Sequence, residues 1–309
     1  MAYTRTLLAV HAHPDDETIT TGGTLARYSA EGVRTVVVTC TQGELGWVFD
    51  PSLVGRDVGT LRDGELESAC STLGVSRLVR LGYCDSGMAG AAENHRPGAF
   101  FAADLHEAAA RLVKVLDEER PRVMLAYDET GGYGHPDHVK AHQVAVAAFD
   151  AAGAARPEKL YFVRFPLTWS REFVRGLREA GIDAPGSAPA GADAGPDLHE
   201  IGVPDALVTT AIDVRRYLPA KLAALACHRS QLPPDHFLRR MPPELAQRLW
   251  AYEYFSRESG PTSRPTLNNN NNNNQPTPAV GTEGLETANQ ATPGLRTEGL
   301  ESDLFAGLD

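Results

Sequence analysis

The strongest constraint on the fold is an alternation of two hydrophobic periods over the first half of the chain. Five short runs rich in β-branched residues, Thr6–His11, Arg34–Cys40, Leu78–Tyr83, Val123–Tyr127 and Lys159–Phe165, read as strands. Between them lie segments whose apolar residues recur at helical spacing: Gly23–Glu31, Leu61–Leu73, Ala103–Glu119 and Pro136–Ala152. Pro136 suits a first helical turn, where its missing N–H is not needed. Strands separated by whole helices are joined by crossovers, and crossovers make parallel neighbours. The pattern predicts an α/β fold, a Rossmann-like, mostly parallel sheet with helices on both faces.

Residues 182–197 open with IDAPGSAPAGADAGP, too rich in Gly, Pro and Ala to pack, and read as a surface loop. A smaller C-terminal α/β portion follows: ALVTTAIDV as a strand, RRYLPAKLAALACHRSQ as a helix and LWAYEYFSR as a last strand. One domain is therefore expected over 1–258. Residues 259–301 carry a run of asparagines and the near-repeat TEGLE, a composition that buries too little apolar surface to offset ordering entropy. Of the remainder, only SDLFAGLD at 302–309 has the apolar content to dock.

A formal net charge of −11 with no Lys/Arg stripe argues against nucleic acid or an anionic membrane surface as partner and leaves small neutral or cationic ligands. No run approaches the length of a membrane span. Cys40, Cys70, Cys84 and Cys227 show no paired spacing and read as reduced thiols of a soluble cytoplasmic protein.

The first strand ends in HAHPDDE, His11–Glu17, which crowds three acids at the carboxyl end of a parallel strand, where such sheets bind ligands. Asp15 and Asp16 alone read equally as a helix cap. A second cluster, DETGGYGHPDHVKAH at Asp128–His142, again follows an apolar strand and again carries His-Pro-Asp. Two such groups meeting in one crevice supply mixed nitrogen and oxygen donors, a set that suits Zn²⁺ with one position left for water. A bound dication also removes the repulsion among the acids.

AHPDDE at Ala12–Glu17, GGYGHPDH at Gly131–His138, YCDSGMAG at Tyr83–Gly90 and ALACHRSQ at Ala224–Gln231 together resemble the zinc-dependent LmbE-like, or GlcNAc-phosphatidylinositol de-N-acetylase-like, family over roughly Leu7 to Gln231. The likeness leans toward its actinobacterial branch of mycothiol-pathway deacetylases and S-conjugate amidases. The resemblance implies His13, Asp16 and His138 as zinc ligands, with Fe²⁺ as a possible substitute. It implies Asp15 as general base, His135 as the protonated acid for the leaving amine, and Asp137 as the group that orients a site histidine. Tyr133 is implied at the carbonyl oxygen, and Arg62 and Asp85 at sugar hydroxyls.

The expected reaction is hydrolysis of an N-acetyl group from a small N-acetylglucosaminyl conjugate such as GlcNAc-inositol. Competing readings are a mycothiol S-conjugate amidase, a tailoring deacetylase of a glycosylated natural product, and a silent metal and sugar-binding module. Individual residues carry plainer readings too. Arg62 and Asp85 read also as surface residues or a structural ion pair, His142 as a helix-face histidine, Glu17 as a cap, His228 as core or pocket wall, and Ala91–Phe101 as a rim loop.

Overall fold

In the structure, a computed structural model, residues 5–183, 201–260 and 296–308 are described. The chain runs β1 (Thr6–His11), α1 (Asp16–Ala30), β2 (Arg34–Thr41), α2 (Val58–Thr72), β3 (Arg77–Tyr83), α3 (Leu105–Glu119), β4 (Val123–Ala126), α4 (Pro136–Ala151) and β5 (Lys159–Arg164). It continues through α5 (Leu167–Glu179), β6 (Thr210–Asp213), α6 (Leu218–Leu225), α7 (Phe237–Arg240), α8 (Pro243–Leu249) and β7 (Tyr252–Ser259). One sheet holds the strands in the order β3-β2-β1-β4-β5-β7-β6. The first five are parallel, and β7 runs antiparallel to both β5 and β6.

The winding reverses between β1 and β4, so the crevice beyond their carboxyl ends is the switch point of the sheet. Because β1 is central, both of its faces are covered. Leu8 and Val10 pack with α3 and α4, whereas Leu7 and Ala9 pack with α1 and α2. That two-sided burial is why the strand reads as an unbroken apolar run.

Helix α1 starts at Asp16, well before the expected Gly23. Two threonines of the added turns are tied back into the helix. The Thr20 hydroxyl donates to the Asp16 carbonyl at 2.7 Å and the Thr21 hydroxyl to the Glu17 carbonyl at 2.9 Å. Helix α6 is shorter than the expected 215–231, and α5 is an element the sequence reading did not include.

The loop expected over 182–197 and the tail expected over 259–301 lie largely outside the described residues. At Arg296 the chain is described again. Glu301 pairs with Thr210 of β6, and Leu304 and Phe305 are buried against the α1 and α2 side of the sheet. Among the described residues no helix is long and apolar enough to cross a membrane.

Candidate active site

The turn from β1 into α1 is tight, and Asp15 adopts φ 102°, a left-handed conformation that costs a non-glycine residue roughly 1–3 kcal/mol. Its carboxylate does not cap the helix. Instead the Arg62 guanidinium reaches Asp15 Oδ2 at 3.2 Å while donating to the carbonyls of Gly43 and Pro14, both at 2.6 Å. The turn thus presents Asp15 to the crevice and brings Asp16 beside His13.

Three donors converge there. His13 Nδ1 lies 3.5 Å from Asp16 Oδ2, His138 Nε2 lies 3.4 Å from the same oxygen, and the two nitrogens are 3.3 Å apart. A tetrahedral ion with bonds of about 2.0–2.1 Å holds its donors about 3.3–3.4 Å from one another, so this triangle fits a zinc-sized cation. The rings are oriented for it. His138 donates its Nδ1–H to the Gly131 carbonyl at 3.0 Å, which leaves Nε2 bare. His13 Nε2 lies 3.2 Å from Asp137 Oδ2 and 3.6 Å from Asp85 Oδ1, which assigns its proton to that side and leaves Nδ1 bare. Asp137 is therefore the partner of His13, and it also accepts from the Ser86 amide at 2.9 Å.

The electrostatics follow from this packing. Burial works against the charge on Asp16, yet the imidazoles of His138 and His13 hold its carboxyl well below the usual carboxylate range. Burial likewise opposes charge on His13, but Asp137, Asp16 and Asp85 together raise it well above an ordinary histidine. Asp15 behaves differently: burial pushes its carboxyl up to about 6 against the pull of Arg62. A group poised there is suited to accept a proton near neutrality.

His135 brings a third imidazole within 4.8 Å of the His13 and His138 donors. Its Nδ1, however, accepts from the Asp137 amide at 3.1 Å and caps α4, so the movable proton sits on Nε2. Burial, with His13 and His138 nearby, pushes His135 down to about 3. A proton taken up by this ring is therefore loosely held and readily passed on. Tyr133 stands half-exposed with its ring edge-on to His138 at 4.9 Å.

Arg62 and Asp85 are not surface residues, with only 5% and 4% of their area exposed, and they do not pair with each other. Asp85 accepts from the Gly87 amide at 2.8 Å and the Leu45 amide at 3.3 Å beside His13. The Ala91–Phe101 stretch is firmly held: Phe100 is buried in the core, and Asn94 donates to the Ser86 carbonyl at 2.6 Å. His142 turns away from the donors and bonds the Tyr127 carbonyl at 2.9 Å. His11 is buried against Thr21 at 3.1 Å.

Tyr127 was not recognised in the sequence as part of the site, and Glu17, read there as a cap, does more than cap. Tyr127 stacks on His138 with ring centroids 4.5 Å apart and accepts from the Ala12 amide at 3.1 Å, tying the ends of β1 and β4 together. Glu17 takes the Asp15 amide at 2.9 Å on one oxygen and His228 Nε2 at 2.8 Å on the other. The family-like ALACHRSQ was the available signal for His228, but nothing local to it points to Glu17.

The fold and this donor set define an α/β protein with a site fitted to a metal ion, built at the switch point of a mostly parallel sheet. Comparison with known proteins narrows the class. A model of the GlcNAc-PI de-N-acetylase family matches residues 8–149. A 1D-myo-inositol 2-acetamido-2-deoxy-alpha-D-glucopyranoside deacetylase of Streptomyces avermitilis is 44% identical over 281 residues, spanning 84% of this chain and 94% of the relative. A Thermobispora bispora protein of the same name is 44% identical over 274 residues, 83% of this chain and 89% of the relative.

The chain belongs to the GlcNAc-PI de-N-acetylase family and is a hydrolytic deacetylase. Among solved structures, an N,N'-diacetylchitobiose deacetylase of Pyrococcus horikoshii superposes with a TM-score of 0.55 at 20% identity, covering 82% of this chain and 83% of the other. A 4-carboxy-2-hydroxymuconate hydratase of Pseudomonas putida reaches the same TM-score at 18% identity, covering 85% and 100%. The shared architecture thus carries more than one reaction, and the chemistry rests on the site.

Proposed function

We propose that this protein removes the acetyl group from a small N-acetylglucosaminyl conjugate, GlcNAc-inositol being the best fit, with Zn²⁺ held by His13, Asp16 and His138. The observation that carries the reading is the 3.3–3.5 Å donor triangle with an unligated carboxylate, Asp15, on the adjoining residue. The mixed nitrogen and oxygen set suits zinc, with Fe²⁺ as the alternative. Such an ion, when bound, polarises the amide carbonyl and makes water a stronger acid.

The protein groups divide the proton transfers. Asp15 takes a proton from the attacking water, whose oxygen bonds to the acetyl carbon. Tyr133 donates to the carbonyl oxygen as charge gathers on it. The C–N bond then breaks as His135, in its protonated form, gives its Nε2 proton to the departing nitrogen; the proton that Asp15 took from the water returns to His135, so that acetic acid and the free amine leave. Asp137 and the Gly131 carbonyl keep the two ligand rings aimed, and Arg62 keeps Asp15 aimed. Arg62 and Asp85, on the His13 flank, are assigned to the sugar hydroxyls. Four free cysteines suit a reducing, cytoplasmic compartment.

The test is acetate release from GlcNAc-inositol by protein whose metal content has been measured, before and after chelation and after Zn²⁺ is restored. Turnover that follows zinc is expected. Metal-replete protein that releases no acetate, yet frees an amine from a mycothiol S-conjugate, would overturn the substrate assignment.

A further inference from the structure

A cavity of about 380 Å³ opens from the site, with Asp15, Asp16, Tyr133 and His138 at one end. It is bordered by α1, α5, α6, α7 and β7, and its wall includes Trp169, Phe173, Phe237, Leu238, Trp250 and Tyr252. This volume lies in the range that holds drug-sized ligands and far exceeds what an acetyl methyl fills.

Most polar groups of the wall are already bound within the protein, the Ser170 hydroxyl being buried there without a partner. Lys221 is bound to Glu253 at 2.7 Å and to the Ile19 carbonyl at 2.9 Å. Arg164 is bound to Asp128 at 2.9 Å and to Ser256 at 2.7 Å, and the Trp169 indole donates to the Leu249 carbonyl at 2.6 Å. His236 accepts from the Leu238 amide at 3.3 Å, and burial pushes it down to about 4, so it is neutral. A polyol placed here would lose its water and find few partners, whereas an apolar group would meet the aromatic wall.

The side on which the cavity opens decides which part of a substrate enters. His135, which serves the departing nitrogen, is absent from the wall, as are Arg62 and Asp85 on the sugar flank. Asp15 and Tyr133, which serve the water and the carbonyl, are in it. We propose that the cavity is an acyl pocket, and that the enzyme prefers amino-sugar amides whose acyl group is an apolar chain or ring longer than acetyl. This rests on the deacetylase reading above and extends it to the acyl side.

The experiment compares kcat/KM for N-acetyl, N-butyryl, N-hexanoyl and N-benzoyl glucosaminyl inositol, followed by free-amine release. A parallel arm uses phenyl and octyl glycosides of GlcNAc, which place the apolar group on the aglycone. The acyl arm should gain roughly three- to fourfold per added methylene until the cavity is full, with no comparable gain in the glycoside arm. Ile201→Trp, which narrows the cavity, should reverse the hexanoyl-to-acetyl ratio, and Phe237→Ala should raise it for the longest chains. Independently of turnover, hexanoate and benzoate should change the emission of Trp169 and Trp250 at concentrations where acetate does not. Hydrolysis of the N-acetyl parent with a flat or falling acyl series, or a gain confined to the glycoside arm, overturns the acyl pocket alone. Release from none of these compounds overturns the deacetylase reading and the pocket with it.

Discussion

Glu17 and His228, 211 positions apart in the chain, meet at 2.8 Å beneath the turn that presents Asp15. Both are fully buried, and the second Glu17 oxygen holds the Asp15 amide. The pair supports a backbone conformation that an aspartate does not adopt unaided. His228→Phe leaves a buried carboxylate without its partner and should lower stability to urea by about 3–5 kcal/mol. In folded protein it should also reduce kcat about tenfold while KM changes little, because Asp15 is displaced and the sugar contacts are not. His228→Gln keeps a donor and should recover part of the kcat. Equal kcat for the Phe and Gln variants would show that the pair only holds the core.

Asp15→Asn separates base chemistry from metal retention. Asn tolerates the left-handed conformation, so the turn survives the change. Turnover should fall about 10²- to 10⁴-fold, while zinc per protein, read by elemental analysis, stays at the wild-type value. Retained turnover would remove Asp15 from its role.

Gly131 is the position where backbone and ligand are pressed closest. Its φ is +66°, and a Cβ there would sit 2.6 Å from the His138 Cβ. Gly131→Ala should therefore move the carbonyl that orients His138 and weaken zinc binding about 10- to 100-fold in a chelator competition. Far-UV circular dichroism should be unchanged.

Phe305, 3% exposed, packs its ring 5.4 Å from Tyr28 on the face of the sheet away from α3 and α4. Phe305→Ala should cost about 3 kcal/mol in thermal or urea unfolding. Zinc content should not change, because the segment touches none of the donors.

The parts of this molecule that follow from local pattern were legible in the sequence. β1 runs Thr6–His11 as read, and α4 starts at Pro136, where the ring fits the first turn. The His-Pro-Asp motifs lie at the ends of β1 and β4, and the switch point between those strands brings His13, Asp16 and His138 together. What local pattern could not carry was tertiary choice. Helix α6 stops at Leu225 although the sequence would extend it, because the following residues are drawn inward. His228 goes to Glu17, and the Ser230 amide and hydroxyl go to Glu65 at 2.8 and 2.6 Å. Whether Asp137 serves His13 or another histidine was likewise beyond spacing, since the contact joins residues 124 positions apart. Helix α5 had a signal in the helical spacing of Trp169, Phe173 and Leu177, and was missed beside the Gly/Pro-rich loop that follows it.

The pairing of Glu301 with β6 has one more consequence. β6 is one of the two outermost strands of the sheet, and an outermost strand offers a row of unused amides and carbonyls to any other chain. Here Glu301 donates to the Thr209 carbonyl and its own carbonyl accepts from the Ala211 amide, both at 2.9 Å. The protein thus meets its exposed margin with its own terminal segment, and recognition between molecules by strand addition is blocked at that point before a second copy can compete.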